Sequence, residues 1–297
     1  MKMTASKRAC TAMGKANDSA KKTIDVESAR AKIRPRLERR RGAPEVRGCR
    51  SDDSASECRF MVHHLKSVSA VALLVSAVAG LLALFSGPGY RLGLFSLPAA
   101  FHVLRWGVYA GLVGLLLAGV ALWRARGRSV LGAIALVLAL VVVGVPLRFQ
   151  RLAASVPPIH DITTDTANPP AFDAVVALRK DAPNSLEYSQ EVARQQREAY
   201  PDIKPLVLEM PAAQVFDRAV RAAHDQGWEI VAVNADTWRI EATDTTTFFG
   251  FKDDVVVRLT PMDSRTVVDV RSVSRVGRSD VGTNARRIRR YLAALIS

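Results

Sequence analysis

The sequence predicts an α+β protein: a three-helix transmembrane N-terminal region followed by a small antiparallel sheet with helices packed on one face. Three observations point there. Residues 68–85, 106–123 and 130–147 each run for 18 positions without a charged side chain. Apolar residues alternate with polar ones in three stretches after residue 237, the period of a half-buried strand. Helical stripes lie on either side of those stretches, so the order is strand, helix, several strands, helix.

The formal charge of +14 on 297 residues hides a division. Residues 1–60 carry 16 Lys and Arg against 8 Asp and Glu. Residues 61–155 carry 8 Lys and Arg and no acid, whereas residues 156–297 carry 18 Lys and Arg against 20 Asp and Glu. The folded C-terminal part is nearly neutral, so the basic balance does not point to a nucleic-acid partner. Three cysteines in the whole chain cannot form a disulfide scaffold.

Residues 1–60 hold Cys10, Cys49, Cys58 and the run Arg39 to Arg41. Apolar residues are too sparse there to bury a core, which predicts a disordered basic tail. Translation from Met61 accounts for the same residues, because the sequence from that point reads as an ordinary membrane-protein start. The cysteine spacings match no zinc pattern.

The next region, 65–148, holds the three apolar runs, each at the lower limit for crossing a hydrocarbon core about 30 Å thick. Trp106, Tyr109 and Trp123 stand near the ends of the second run, where aromatic belts form. The short loop Arg124-Ala125-Arg126-Gly127-Arg128 is strongly basic and is expected in the cytoplasm. Three crossings then place the N-terminus in the cytoplasm, and the loop containing Gly87-Pro88-Gly89, Arg91 and Arg105 on the far side with the C-terminal domain. This describes a multi-pass inner-membrane protein with a periplasmic or other extracytoplasmic domain. Gly107 and Gly111 form a GxxxG, with Gly114 following, which suits either a dimerising face or close packing inside one bundle. The spans contain no acid, which argues against a proton- or cation-coupled transporter.

Residues 149–204 are rich in proline and read as a connecting segment, with one short helix between 185 and 200. His160, Asp161 and Asp165 are metal-ligand types, but a loop of Asx and Ser/Thr turns pinned by Ile159 and Ile162 explains them more simply.

Residues 205–297 read as the α+β domain. A short apolar strand occupies 206–209. Pro211 opens a helix that Gly227 closes, with Val215, Phe216, Ala219, Val220 and Ala223 on one stripe. Residues 228–233 are a strand. Trp238, Ile240 and Ala242 alternate with Arg239, Glu241 and Thr243, and further strands follow at 253–260 and 266–274. Thr283 or Asn284 caps a last helix whose Ala285, Ile288, Leu292 and Leu295 face the sheet. His224 lies on a polar helix side, and no GxSxG elbow accompanies it.

Two constellations could carry chemistry. Lys252, Asp253 and Asp254 are polar-site candidates. Adjacent strand carboxylates point to opposite faces, however, and so make a poor acid/base pair. Arg271, Arg275, Arg278, Asp280 and Asn284 are anion-binding candidates. They cluster before a helix N-terminus, where guanidinium forks and backbone N–H groups can hold phosphate, sulfate or carboxylate. Gly277 and Gly282 would let the backbone approach such an ion. The competing reading is that Asp253, Asp254 and Asp280 neutralise these arginines and brace the loop. The remaining arginines of the last helix, 286, 287, 289 and 290, read as a solvated face.

The stretches 239–243, 248–258 and 269–289 resemble the domain-of-unknown-function 1499 family, and residues 159–170 and 195–205 are similar to its bacterial membrane-anchored members. The resemblance covers residues 157–297. One departure is Pro183-Asn184-Ser185, where many members have Asn-Cys. The resemblance implies an architecture and a compartment, and no reaction.

The residues therefore suggest a cell-envelope binding or scaffolding module, with the lipid bilayer, an anionic lipid or envelope polyanion, or another membrane protein as partner. A hydrolase or lipid-processing enzyme with a polar Asp/Arg site, and a subunit of a membrane complex, are alternatives. No catalytic residue, metal or cofactor is assigned.

Overall fold

A charge-free run needs its flanking residues to finish the helix that carries it across a membrane, and all three runs are extended in this way. In the computed structural model the backbone is described for residues 55–296 and the side chains for residues 67–296. The expected tail therefore lies almost wholly outside the described residues. By its contacts the chain divides into Met1–Cys58 and Arg59–Ser297, and the apolar spans and the sheet belong to the second unit.

Helix α1 covers Ala55–Arg91, α2 Leu97–Arg124 and α3 Val130–Ala154. Ser67–Arg91, Leu97–Arg124 and Val130–Ala154 are each long and apolar enough to cross a membrane. The first loop is shorter than the charge pattern suggested. Gly87, Pro88 and Gly89 are helical, and α1 runs on to Arg91 before Gly93, whose φ is 71°, closes it. There the Leu94 N–H donates to the Gly89 carbonyl at 3.0 Å and the Gly93 N–H to that of Tyr90 at 2.9 Å, a closure that favours glycine. Pro98 then suits the first turn of α2. Only residues 92–96 remain as loop, and Arg105 lies within α2.

The small residues of the spans face one another. A Cβ on Gly107 would sit 3.1 Å from the Ala79 carbonyl oxygen, and one on Gly111 3.0 Å from Val143. Gly114 lies against Ser76. The glycine row of α2 therefore packs inside this chain's own bundle, where small residues let helix backbones come close.

The sheet has six strands, all antiparallel. They are β1 Asp161–Thr163, β2 Leu206–Leu208, β3 Glu229–Asn234, β4 Arg239–Thr245, β5 Lys252–Met262 and β6 Arg265–Ser274. Their order is β1-β6-β5-β4-β3, with β2 also paired to β6. Helices α4 Gln190–Ala199, α5 Ala212–Asp225 and α6 Thr283–Ile296 complete the domain. One face presents Ile240, Ala242, Val255, Val257, Leu259, Val268 and Val270 to α5 and α6. The Tyr291 hydroxyl of α6 donates to the Ala219 carbonyl of α5 at 2.8 Å, and its ring stacks on Trp228.

Four details differ from the sequence expectation. Residues 161–163, read as part of a turn-rich connector, form an edge strand because β6 is longer than β2 and leaves a free edge. Trp238 stands in the β3–β4 turn with φ 52° and is not a strand residue. The last helix is capped by Asp280, whose carboxylate accepts from the N–H groups of Gly282 and Asn284, both at 2.7 Å. Arg287, expected on a solvated face, is 3% exposed between α6 and the sheet.

Candidate functional site: the covered polar face of the sheet

The alternation along β4, β5 and β6 turns one residue set toward the helices and the other toward the opposite face. Strand register places Thr243 beside Asp254, Val256 beside Arg271 and Arg258 beside Asp269 on that second face. Polar residues in this pattern usually meet water. Here residues 164–189, including a 3₁₀ turn at Ala174–Arg179, lie across them, and Glu241, Asp254, Asp269 and Arg271 are all buried.

The covering segment is held by charge-assisted hydrogen bonds. Both Glu241 oxygens accept backbone N–H groups, from Asp173 at 2.9 Å and Val175 at 3.0 Å, so a strand carboxylate caps the 3₁₀ turn. Asp254 accepts from Arg275 at 2.7 and 2.9 Å, from the Thr243 hydroxyl at 2.8 Å and from Arg179 of the cover. Arg258 bridges Asp269 on β6 to Asp165 of the cover.

Arg271 is the most heavily engaged group. It grips Asp161 with two parallel bonds of 3.0 and 2.7 Å and also donates to the carbonyls of Pro170 and Leu186. Its guanidinium lies over the rings of Phe172 and Tyr188, 5.2 and 5.5 Å from their centroids. Gln196 of α4 finishes the β1 edge: its amide accepts from the Thr163 N–H and donates to the Thr163 carbonyl, as a neighbouring strand would.

A second polar knot lies on the helix side. Arg287 donates to Asp244 at 2.7 Å, Asp253 at 2.6 Å, Ser272 at 3.0 Å and Asn284. Asn284 in turn donates to the His160 carbonyl and to Ser274.

The protonation preferences follow from this wiring. Burial alone would push the Asp254 carboxyl up, but hydrogen bonds from Arg275, Thr243 and Arg179 outweigh it and hold the group below its ordinary value. Burial pushes Asp161 up against the pull of Arg271, and it pushes Asp280 up against the two backbone N–H groups that Asp280 caps. Burial also raises the Tyr188 phenol.

The anion-binding candidates other than Arg278 are thus each turned to a different partner. Arg271 and Arg275 are bound to Asp161 and Asp254, and Asp280 occupies the helix N-terminus where an anion would sit. Asn284 is buried, while Arg278 is exposed and holds no ion pair among the described residues. The polar candidates separate too: Asp253 faces the helices, Asp254 faces the cover, and Lys252 is exposed. Asp161 and Asp165, weighed as metal ligands, bind Arg271 and Arg258 instead. Sequence reasoning missed Arg179, Glu241 and Arg258. No local pattern signals them, because their partners come from distant parts of the chain.

Residues 161–295 match the family model described as protein of unknown function, DUF1499. Over this segment the chain is similar to the DUF1499 family. No curated protein matches the chain. The matched residues begin at β1 and include the covering segment, so the DUF1499 domain extends well upstream of residue 205 and takes in the layer that closes its polar face.

The matched domain also meets the apolar helices. Its β4–β5 loop, residues 246–251, carries Phe248, Phe249 and Phe251. Phe251 lies against Tyr90 of α1 and Phe249 against Phe101 of α2, with ring centroids 5.9 and 5.4 Å apart. Arg91 donates to the Thr247 carbonyl at 3.1 Å.

Proposed function

We propose that the chain is a binding or scaffolding module of the cell envelope that displays its DUF1499 domain on the outer side of an inner membrane. The observation that carries this reading is the closure of the polar face. Arg179, Arg275 and Asp254 engage one another, as do Arg271 and Asp161, and these bonds fix the shape of the domain. A hydrolase built on the same Asp and Arg side chains would need them turned to a substrate. The orientation rests on charge: the Arg124, Arg126, Arg128 loop lies at the cytoplasmic end of the spans by the positive-inside rule, and an odd number of crossings separates it from the domain.

Cysteines placed singly at Arg126 and Asp236, in a chain lacking Cys10, Cys49 and Cys58, test the orientation in intact cells. A membrane-impermeant maleimide should label position 236 and spare position 126, and the opposite pattern overturns it. The scaffolding reading is tested by complementing a deletion strain with Arg179→Met/Asp254→Leu/Arg275→Met. Apolar replacement of a whole buried ion cluster is often neutral for stability. Rescue by the folded triple variant supports a scaffold, and failure by the folded variant favours an enzyme.

A further inference from the structure

The geometry points to the β4–β5 loop as an interfacial lipid-binding element, seated in the headgroup layer with Phe248 toward the acyl chains. The inference rests on the membrane reading above and adds a second contact between chain and bilayer, made by the DUF1499 domain itself.

The loop is built for close approach to the helix ends. A Cβ on Gly87 would fall 2.6 Å from the Phe248 ring and 2.7 Å from its carbonyl oxygen, so only glycine admits the loop there. Gly250 has φ 70°, and a Cβ on it would lie 2.9 Å from Arg91. Phe249 and Phe251 stack with their planes 4° apart, and Phe248 packs edge-on to Phe249. The cluster leaves Phe248 42% and Phe101 44% exposed.

Continuity with the spans identifies what covers those rings. Phe101 precedes Arg105 by one turn of α2, about 6 Å along the axis. Trp106 and Tyr109 follow, 65% and 50% exposed, at the level where amphipathic rings collect. Arg91 at the end of α1, and Arg148 and Arg151 near the end of α3, lie at the same end of the bundle. Exposed phenylalanines beside a ring of arginines match a layer of phosphates above hydrocarbon.

The test uses the full chain without native cysteines in vesicles of phosphatidylethanolamine and phosphatidylglycerol. An environment-sensitive fluorophore is placed on Thr247→Cys, which leaves every ring in place, on Asp236→Cys in the β3–β4 turn, or on Leu116→Cys within α2. Lipids carrying a quencher near the headgroup should quench position 247 at least about threefold more than position 236, as expected for insertion by 5–10 Å. Adding Phe248→Ser should return position 247 to the level of position 236. Quenching at 247 no greater than at 236, with position 116 quenched by deep-quencher lipids, overturns the loop assignment and leaves the membrane reading standing. An unquenched position 116 overturns both.

Discussion

Asp253 and Asp254 are adjacent on β5 yet face opposite sides of the sheet, where Asp253 binds Arg287 of the last helix and Asp254 binds Arg179 and Arg275. The two carboxylates join three layers: the helices, the sheet and the covering segment. Each is buried, so each needs its arginines to replace the hydrogen bonds that water would otherwise make.

Asp254→Ala should therefore be far more damaging than loss of a surface ion pair. It leaves Arg179 buried without its carboxylate and deprives Arg275 of the same partner. Removing one member of a buried pair costs about 3–5 kcal/mol. Thermal unfolding of the purified chain should show a large fall in the midpoint of the domain transition, and an unchanged midpoint would refute the bracing role.

The same carboxylate sets an acid limit. Its folded-state pKa is depressed, whereas the unfolded value is about 3.9. Its contribution is complete above that unfolded value and is lost as the pH falls through the lower folded value. The stability difference between wild type and Asp254→Asn should therefore be constant near neutrality and shrink below about pH 4. A difference that grows on acidification would contradict the pairing. Asp161 and Asp280, whose carboxyls burial raises, act with the opposite sign, so this measurement has to be a difference between variants.

Arg271→Lys should not be a conservative change. Lysine keeps the charge but cannot form the paired bonds to Asp161 while lying flat between Phe172 and Tyr188. Losing one charged hydrogen bond costs about 1.5–3 kcal/mol. The covering segment should loosen before the helix side does. Amide exchange over residues 164–189 should accelerate while α5 stays protected, and uniform acceleration would show that Arg271 braces the whole domain instead.

The helix-facing side of the sheet was legible in the sequence because Val255, Val257 and Leu259 recur at every second position, between Asp254 and Thr260 and with Arg258 among them. The separation of Asp253 from Asp254 followed from the same period. The second face was not legible. Arg239, Glu241 and Thr243 have the composition of a wetted face, and only a chain segment some 70 positions away converts it into an interior. Period-two patterning reports polarity and cannot tell water from a layer of guanidinium and backbone N–H groups. Arg287 escaped for a related reason: its partners Asp244 and Asp253 stand on strands that only the sheet register brings together.

Substitutions in the glycine row of α2 should harm the bundle, not its association. A side chain at Gly107 meets the backbone of α1 at Ala79 and Ala83, which cannot move aside as a side chain can. Gly107→Val should lower the yield of folded chain at every protein concentration. A variant that folds normally but changes only the oligomeric state would show that the row faces a second copy.

Gly87→Ala gives the docking of the loop on α1 a test whose sign is decisive. Alanine within a helix is favoured over glycine by about 1 kcal/mol, so an undocked α1 would gain from the change. If the loop is seated, the new Cβ strikes the Phe248 carbonyl oxygen, which is backbone and cannot rotate away. Cysteines at Leu92 and Thr247 joined by a short bifunctional thiol reagent report the seating directly. The cross-link should form with glycine at position 87 and be largely lost with alanine. An undiminished cross-link together with a gain in stability would mean that the loop does not rest on α1, because only a seated loop turns a favourable helix substitution into an unfavourable one.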